Sequence, residues 1–177
     1  KRPFGGYGVL LTFELDRSDP WVSELTNGQV HFIRVLEDKG DHVIIRDHEG
    51  NICETSKTGV SIPRYIKHGL ATKEDWETLK RERLDPDNPA RIGDVKKAVE
   101  DAHAAGQPIR FNGGSLYGWL RDWMGVENLS IAVMEDPAWV GDMMEHLTNL
   151  TLSLIDKTLD GVDVDVAWWW EDMCYNR

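Results

Sequence analysis

The sequence predicts an α/β fold with an antiparallel β meander on its N-terminal side, and three observations carry that expectation. Residues 28–56 are rich in β-branched residues and are punctuated by glycine-centred turns. After Pro63, apolar residues recur at helical spacing. Further on, a strand-like run, a long helical run and a second strand-like run follow one another, which is the order of a βαβ unit.

Each element has its own reason. Residues 1–27, with Gly5, Gly6, Gly8 and Pro20, read as mostly irregular. VHFIRV and HVIIRD are two β-branched runs separated by EDKGD, and the turn HEGN leads into ICET, so about three antiparallel strands are expected. Thr72 followed by Asp75 is a capping box opening KEDWETLKRER, with Trp76 and Leu79 on its inner stripe. LDPDNPAR is a turn-rich link. In RIGDVKKAVEDAHAAG, the residues Ile92, Val95, Val99 and Ala102 share one face, and Gly106 stops the helix. Pro108 introduces the strand IRFN at 109–112, which Gly113 and Gly114 break, and SLYGWLRDWMG reads as a short helix. Asp136 and Pro137 supply an N-cap and an N1 proline for the longest helix, whose Val140, Met143, Met144, Leu147, Leu150, Leu154 and Ile155 repeat at helical spacing. Gly161 ends it, and VDVDVAWWW at 162–170 is the second parallel strand, reached by a right-handed crossover. Asp165 is polar where a parallel strand should be apolar. Either it is hydrogen-bonded inside, or one side of the strand is wet.

A chain of 177 residues is one domain of ordinary size or part of a larger one. Its hydrophobic share of 41% is enough for a real core. The net charge of −11 opposes binding to nucleic acid or to anionic membranes, both of which need Lys and Arg to neutralise phosphate. No apolar run reaches the ~20 residues of a membrane-spanning helix. KRPFGGYGVLLTFELD lacks a secretory cleavage pattern, so a cytoplasmic location is expected. Cys53 and Cys174 stand far apart without CxxC context and read as reduced thiols, and no metal site is legible.

GGSLYGWLRDWMGVENL, followed by MEDPAWVGDMMEHLTNLTLSLIDKTLDGVDVDVAWWWEDMCYNR, resembles the uroporphyrinogen decarboxylase-like superfamily, in its broad decarboxylase-like branch. The stretch from Asp41 to Arg91 is similar to that branch's β-hairpin insertion and approach to the barrel. The resemblance covers residues 28–177, and GWLRDWMGVENL and WEDM are its most specific blocks. It implies a (β/α)8 TIM barrel of which this chain is the N-terminal, incomplete part. Residues 1–62 would be the irregular and β-meander region and 63–177 the first part of the barrel. A full barrel needs ~250 residues.

Ligands of parallel α/β folds sit beyond the carboxyl ends of the strands. The loops GGSLYGWLRDW and WEDM occupy that position, so a site is expected there. Glu171 and Asp172 resemble the family's acidic pair and are the catalytic candidates. Adjacent carboxylates raise one another's pKa, and the alternative is a solvated pair capping the next segment. Tyr117 and Arg121 share a helix face at i, i+4 and are substrate-binding candidates. Arg121 meets a ligand, or it pairs with Asp122 or Glu127. Trp169 is a candidate stacking wall or a packing residue, and Gly114 in the GGSLYG loop completes the set. The six histidines fall on surface-type stretches and carry no catalytic assignment.

The resemblance implies two chemistries: decarboxylation of a porphyrinogen, and methyl transfer involving a corrinoid, with a zinc-held thiolate in the related methyltransferases. The family's decarboxylases carry a tyrosine near the positions of Arg121 to Trp123, and this chain has none there. The family's N-terminal arginine motif is also absent from the chain. These two departures lean the reading towards methyl transfer, with decarboxylation and a non-catalytic ligand-binding relative as alternatives. The cofactor is unknown, since zinc would require ligands beyond residue 177. The expected partner is a small-molecule or tetrapyrrole-type ligand, with a corrinoid protein and a second copy of the chain as further partners to test.

Overall fold

The computed structural model describes residues 9–11, 34–47, 49–58, 62–87 and 95–171. They form two sheets. Strands β2 (Arg34–Asp38), β3 (His42–Arg46), β4 (Ile52–Ser56) and β5 (Arg64–Lys67) lie in chain order in a four-stranded antiparallel sheet. Strands β1 (Val9–Leu11), β6 (Ile109–Gly114) and β7 (Val166–Trp169) form a three-stranded parallel sheet in the order β1-β6-β7. The helices are α1 (Lys73–Arg83), α2 (Val95–Ala104), α3 (Tyr117–Met124), α4 (Val126–Glu135) and α5 (Pro137–Thr158).

The chain divides into two compact units. Among the described residues, one holds 34–47, 49–58, 62–81 and 120–141, with the antiparallel sheet. The other holds 9–11, 82–87, 95–119 and 142–171, with the parallel sheet.

In the antiparallel unit, local turn chemistry sets the register. Gly40 adopts φ 85°, and its N–H donates to Asp38 Oδ1 at 2.9 Å, which closes the β2–β3 hairpin. Ile45 on β3 lies directly opposite Cys53 on β4, and both are buried. The residues beside them turn to the other face, which is the period-2 pattern of a half-buried sheet. At the start of α1 the capping box is reciprocal: the N–H of Asp75 donates to Thr72 Oγ1, and the N–H of Thr72 donates to Asp75 Oδ2. The same helix buries Trp76.

In the parallel unit, α2 supplies Val99 and Ala102 to a cluster with Ile109 of β6, against which Val95, Val162 and Val164 pack. Gly106, at φ 64°, lets the Gln107 N–H return to the carbonyl of Ala102 at 2.9 Å and ends α2. Asp136 caps α5 through the Trp139 N–H. Along the helix Val140, Met143, Leu147, Leu150 and Leu154 are buried. Asp165 takes the hydrogen-bonded alternative: its Oδ2 accepts the Ile109 N–H at 2.7 Å and its own N–H donates to the Ile109 carbonyl, which fastens the entry of β7 to the entry of β6.

The first part of a (β/α)8 barrel, expected over residues 63–177, is not what the described residues build. Successive barrel strands are separated by single helices. Here four antiparallel strands and two helices intervene between β1 and β6, and three helices intervene between β6 and β7. Among the described residues β1 and β7 are the outer strands of the parallel sheet. The meander is antiparallel as expected and gains a fourth strand, β5. The strand expected at 162–169 begins at Val166. Ile92 of the inner helical face lies outside the described residues.

Candidate functional site

Strands β6 and β7 run parallel, so their carboxyl ends meet at one edge of the sheet. The chain leaves β6 at Gly114 and enters α3 through Ser115 and Leu116. Ser115 is buried and caps the helix: its Oγ accepts the Gly118 N–H at 2.7 Å. The N–H of Leu116, one of the donors that an α-helix leaves free in its first turn, is taken by Glu171 Oε1. The negative carboxylate therefore lies at the positive end of α3. Trp170 ties the same two loops by donating its N–H to the Gly114 carbonyl at 3.0 Å.

Glycines let the indoles come close. A Cβ on Gly113 would collide with the Trp169 indole, one on Gly114 with Trp119, and one on Gly118 with Trp170. Trp169 also meets the edge of Phe111, with ring centroids 5.8 Å apart. Despite these contacts Trp169 is 47% exposed, so part of its ring system remains open to solvent. Gly114, Tyr117, Trp169 and Glu171 thus belong to one loop cluster of the parallel unit. Asp172 lies outside the described residues.

Arg121 belongs to the antiparallel unit. Of the two readings open for it, the ion pair is present: its Nη2 is 2.8 Å from Asp122 Oδ1. The pair borders a polar cluster that sequence reasoning missed. Asp47, just after β3, accepts the N–H groups of Glu49 and Asn51 on one carboxylate oxygen, each at 2.9 Å. Asn51 has no exposed surface. Its Nδ2 donates towards Asp47 Oδ2, Glu49 Oε2 and the carbonyl of Asp122, and its Oδ1 accepts the Gly69 N–H at 2.8 Å. Gly50 makes the turn at φ 86°, and a side chain on Gly69 would strike the carbonyl of Glu49.

Burial pushes the Glu49 carboxyl up to about 8, helped by the charges of Asp122 and Asp47 and opposed by the Asn51 hydrogen bond and by Arg121. Burial, and then the charge of Asp47, pushes the Cys53 thiol up to about 11, so this free cysteine is a poor nucleophile. Tyr65 is raised too, first by burial and then by Glu49, Asp47, Asp122 and Cys53. The His68 ring stacks on Tyr65 at 5.2 Å and lies against Gly125. The visible signal for this cluster was DHEGN itself, in which two acids and an amide crowd one tight turn. That pattern also describes ordinary exposed turns.

Among the described residues, no group of three His, Cys, Asp or Glu side chains could hold a metal ion, and no helix is long and apolar enough to cross a membrane. Comparison with known proteins finds no matching family model, no matching curated protein and no matching solved structure.

Proposed function

We propose that the chain is part of an enzyme of the uroporphyrinogen decarboxylase-like superfamily, working at the loops that follow β6 and β7, with methyl transfer involving a corrinoid as its reaction. Porphyrinogen decarboxylation is the alternative. The observation that carries the proposal is the union of the two resembling blocks: the helix that opens in GWLRDW is capped at its N-terminus by the glutamate of WEDM. A planar tetrapyrrole-type ligand suits this edge on physical grounds. Trp169 has its ring braced by Gly113 and Phe111 and is still half open, so a ligand macrocycle can stack on it without first ordering the side chain. Glu171 uses one oxygen on Leu116, and its second oxygen can accept a hydrogen bond from a ligand amide or hydroxyl. Tyr117 supplies a hydroxyl from the first turn of the same helix.

The test titrates the purified chain with hydroxocobalamin and, separately, with uroporphyrin, following tryptophan emission against a free-tryptophan control. Saturable quenching by the corrinoid, weakened in Trp169→Leu and in Glu171→Gln, is the expected result. Saturable quenching by uroporphyrin alone would replace methyl transfer by the decarboxylase reading, and quenching by neither would reject both.

A further inference from the structure

The two segments that meet at the carboxyl ends of β6 and β7 are rich in aromatic rings and nearly free of charge. Residues 113–119 and 166–170 hold four tryptophans and one tyrosine, and none of them is Lys, Arg, His, Asp or Glu. Glu171 is the first charged residue that the second segment reaches. Both segments belong to the parallel unit, so their contacts lie within one unit of the molecule.

Trp169 and Glu171 return to the same short loop. The Trp169 indole lies over Gly113, and three residues further on the Leu116 N–H donates to Glu171 Oε1. Phe111 meets the Trp169 ring edge-on, with centroids 5.8 Å apart, and the residue is still 47% exposed. The ring is therefore fixed in place with part of its surface open. An indole face carries the negative lobe of the ring quadrupole, and the neighbouring carboxylate is negative outright. Ring and carboxylate both favour a cation, and the net charge of −11 adds to the preference. A metal ion or a bare ammonium is strongly hydrated and asks for several oxygen ligands. Among the described residues no group of three His, Cys, Asp or Glu could supply them. A methylated ammonium is broad and apolar on its outside, and an aromatic face is the surface that recognises it.

We propose that this loop edge binds a methylated ammonium group, with its N-methyl groups on the open part of the Trp169 ring and its charge beside the Glu171 carboxylate. Glu171 keeps Oε1 on Leu116 and turns its remaining negative charge to the ligand. An anionic ligand of the same size is disfavoured, since neither loop segment brings a cation to meet it. The inference rests on the location given above for the proposed reaction and sets the charge of what enters there. It does not rest on the reaction itself.

NMR of the intact, nitrogen-labelled chain tests the proposal. The chain has eight tryptophans, so the indole N–H signal of Trp169 is first assigned through its backbone. Choline chloride should shift that signal saturably. The uncharged alcohol in which carbon replaces the choline nitrogen should bind at least about fivefold more weakly. Glu171→Gln keeps an acceptor for Leu116 and should weaken choline about threefold, with the alcohol unchanged. No saturable shift with choline, equal binding of choline and the alcohol, or unchanged choline affinity in Glu171→Gln would overturn the inference. Should Glu171→Gln not fold, choline against the alcohol on the native chain decides alone. Choline binding without quenching by hydroxocobalamin or uroporphyrin would uphold this site and reject the proposed reactions. Quenching by either tetrapyrrole without choline binding would do the reverse.

Discussion

Glu49 and Glu171 are the same amino acid held in opposite ways. Glu49 sits in a tight turn of the antiparallel unit, mostly buried, between two other carboxylates and under a shared amide donor. Glu171 sits at a loop edge of the parallel unit, partly exposed, with a backbone N–H of a helix N-terminus as its partner. The first environment favours the neutral acid, and the second offers dipoles that suit an anion.

The largest effect that would sharpen this contrast is pH-dependent stability. In the unfolded chain Glu49 ionises near 4.5, and in the folded protein near 8. Between those values the folded state keeps a proton that the unfolded state has lost, so raising the pH favours unfolding. The stabilisation is complete below about 4.5 and gone above about 8. Urea unfolding should therefore lose roughly 4 kcal/mol between the two ends of the window, less whatever relaxation of the turn recovers. Glu49→Gln should remove most of that slope, and an unchanged slope would place the titrating group elsewhere.

Asn51→Ala comes next. It leaves the Gly69 N–H and the Asp122 carbonyl without their partner in a dry place, at a cost of about 3 kcal/mol. The denaturation midpoint reads it out directly. A loss below about 1 kcal/mol would mean that water replaces the amide and that the place of Asn51 is less dry than its burial implies. The smallest effect belongs to Glu171→Gln, which keeps an acceptor for Leu116 but removes the charge at the helix end. It should cost about 0.5–1 kcal/mol, while the binding titration described above weakens. A large loss of stability with unchanged binding would reassign Glu171 from ligand contact to helix cap.

The parts of the molecule legible in the sequence are those decided by neighbours along the chain. The β-branched run HVIIR, the turn glycines Gly40 and Gly50, the Thr72–Asp75 capping box and the Asp136–Pro137 helix start each involve residues a few positions apart, and each forms as read. What escaped depends on long-range pairing. Strand β1 finds β6 about a hundred residues away, a choice no local period encodes. The incomplete barrel was carried over from a resemblance, and the strand order answers to pairing across the whole chain. Helix α4 had no assignment, although Val126, Leu129, Ile131, Ala132 and Met134 include the buried Leu129 and Ala132 of a helical face. At the site, the loops of β6 and β7 could be joined because parallel strands must open at one end. Arg121 was read either as a site residue beside Tyr117 or as an ion pair, and spacing alone did not choose between them; the pair with Asp122 is present. Glu49 was invisible because Arg121, Asp122 and Tyr65, which act on it, lie far along the chain.

The stacking of Trp169, Trp119 and Trp170 on Gly113, Gly114 and Gly118 has a consequence for how this chain can vary. Each indole lies where a Cβ would be, so even alanine at the glycine demands that its tryptophan move or shrink. Substitutions at these places are thus coupled across sequence distances of more than fifty residues, as between Gly113 and Trp169. A library randomised at 113 and 169 together, selected for folding, should return inverse size pairs, small opposite large, and very few combinations of two bulky residues. Such trade-offs would leave a covariation trace between the two loops that single-site scans, which would report only intolerant glycines, cannot display.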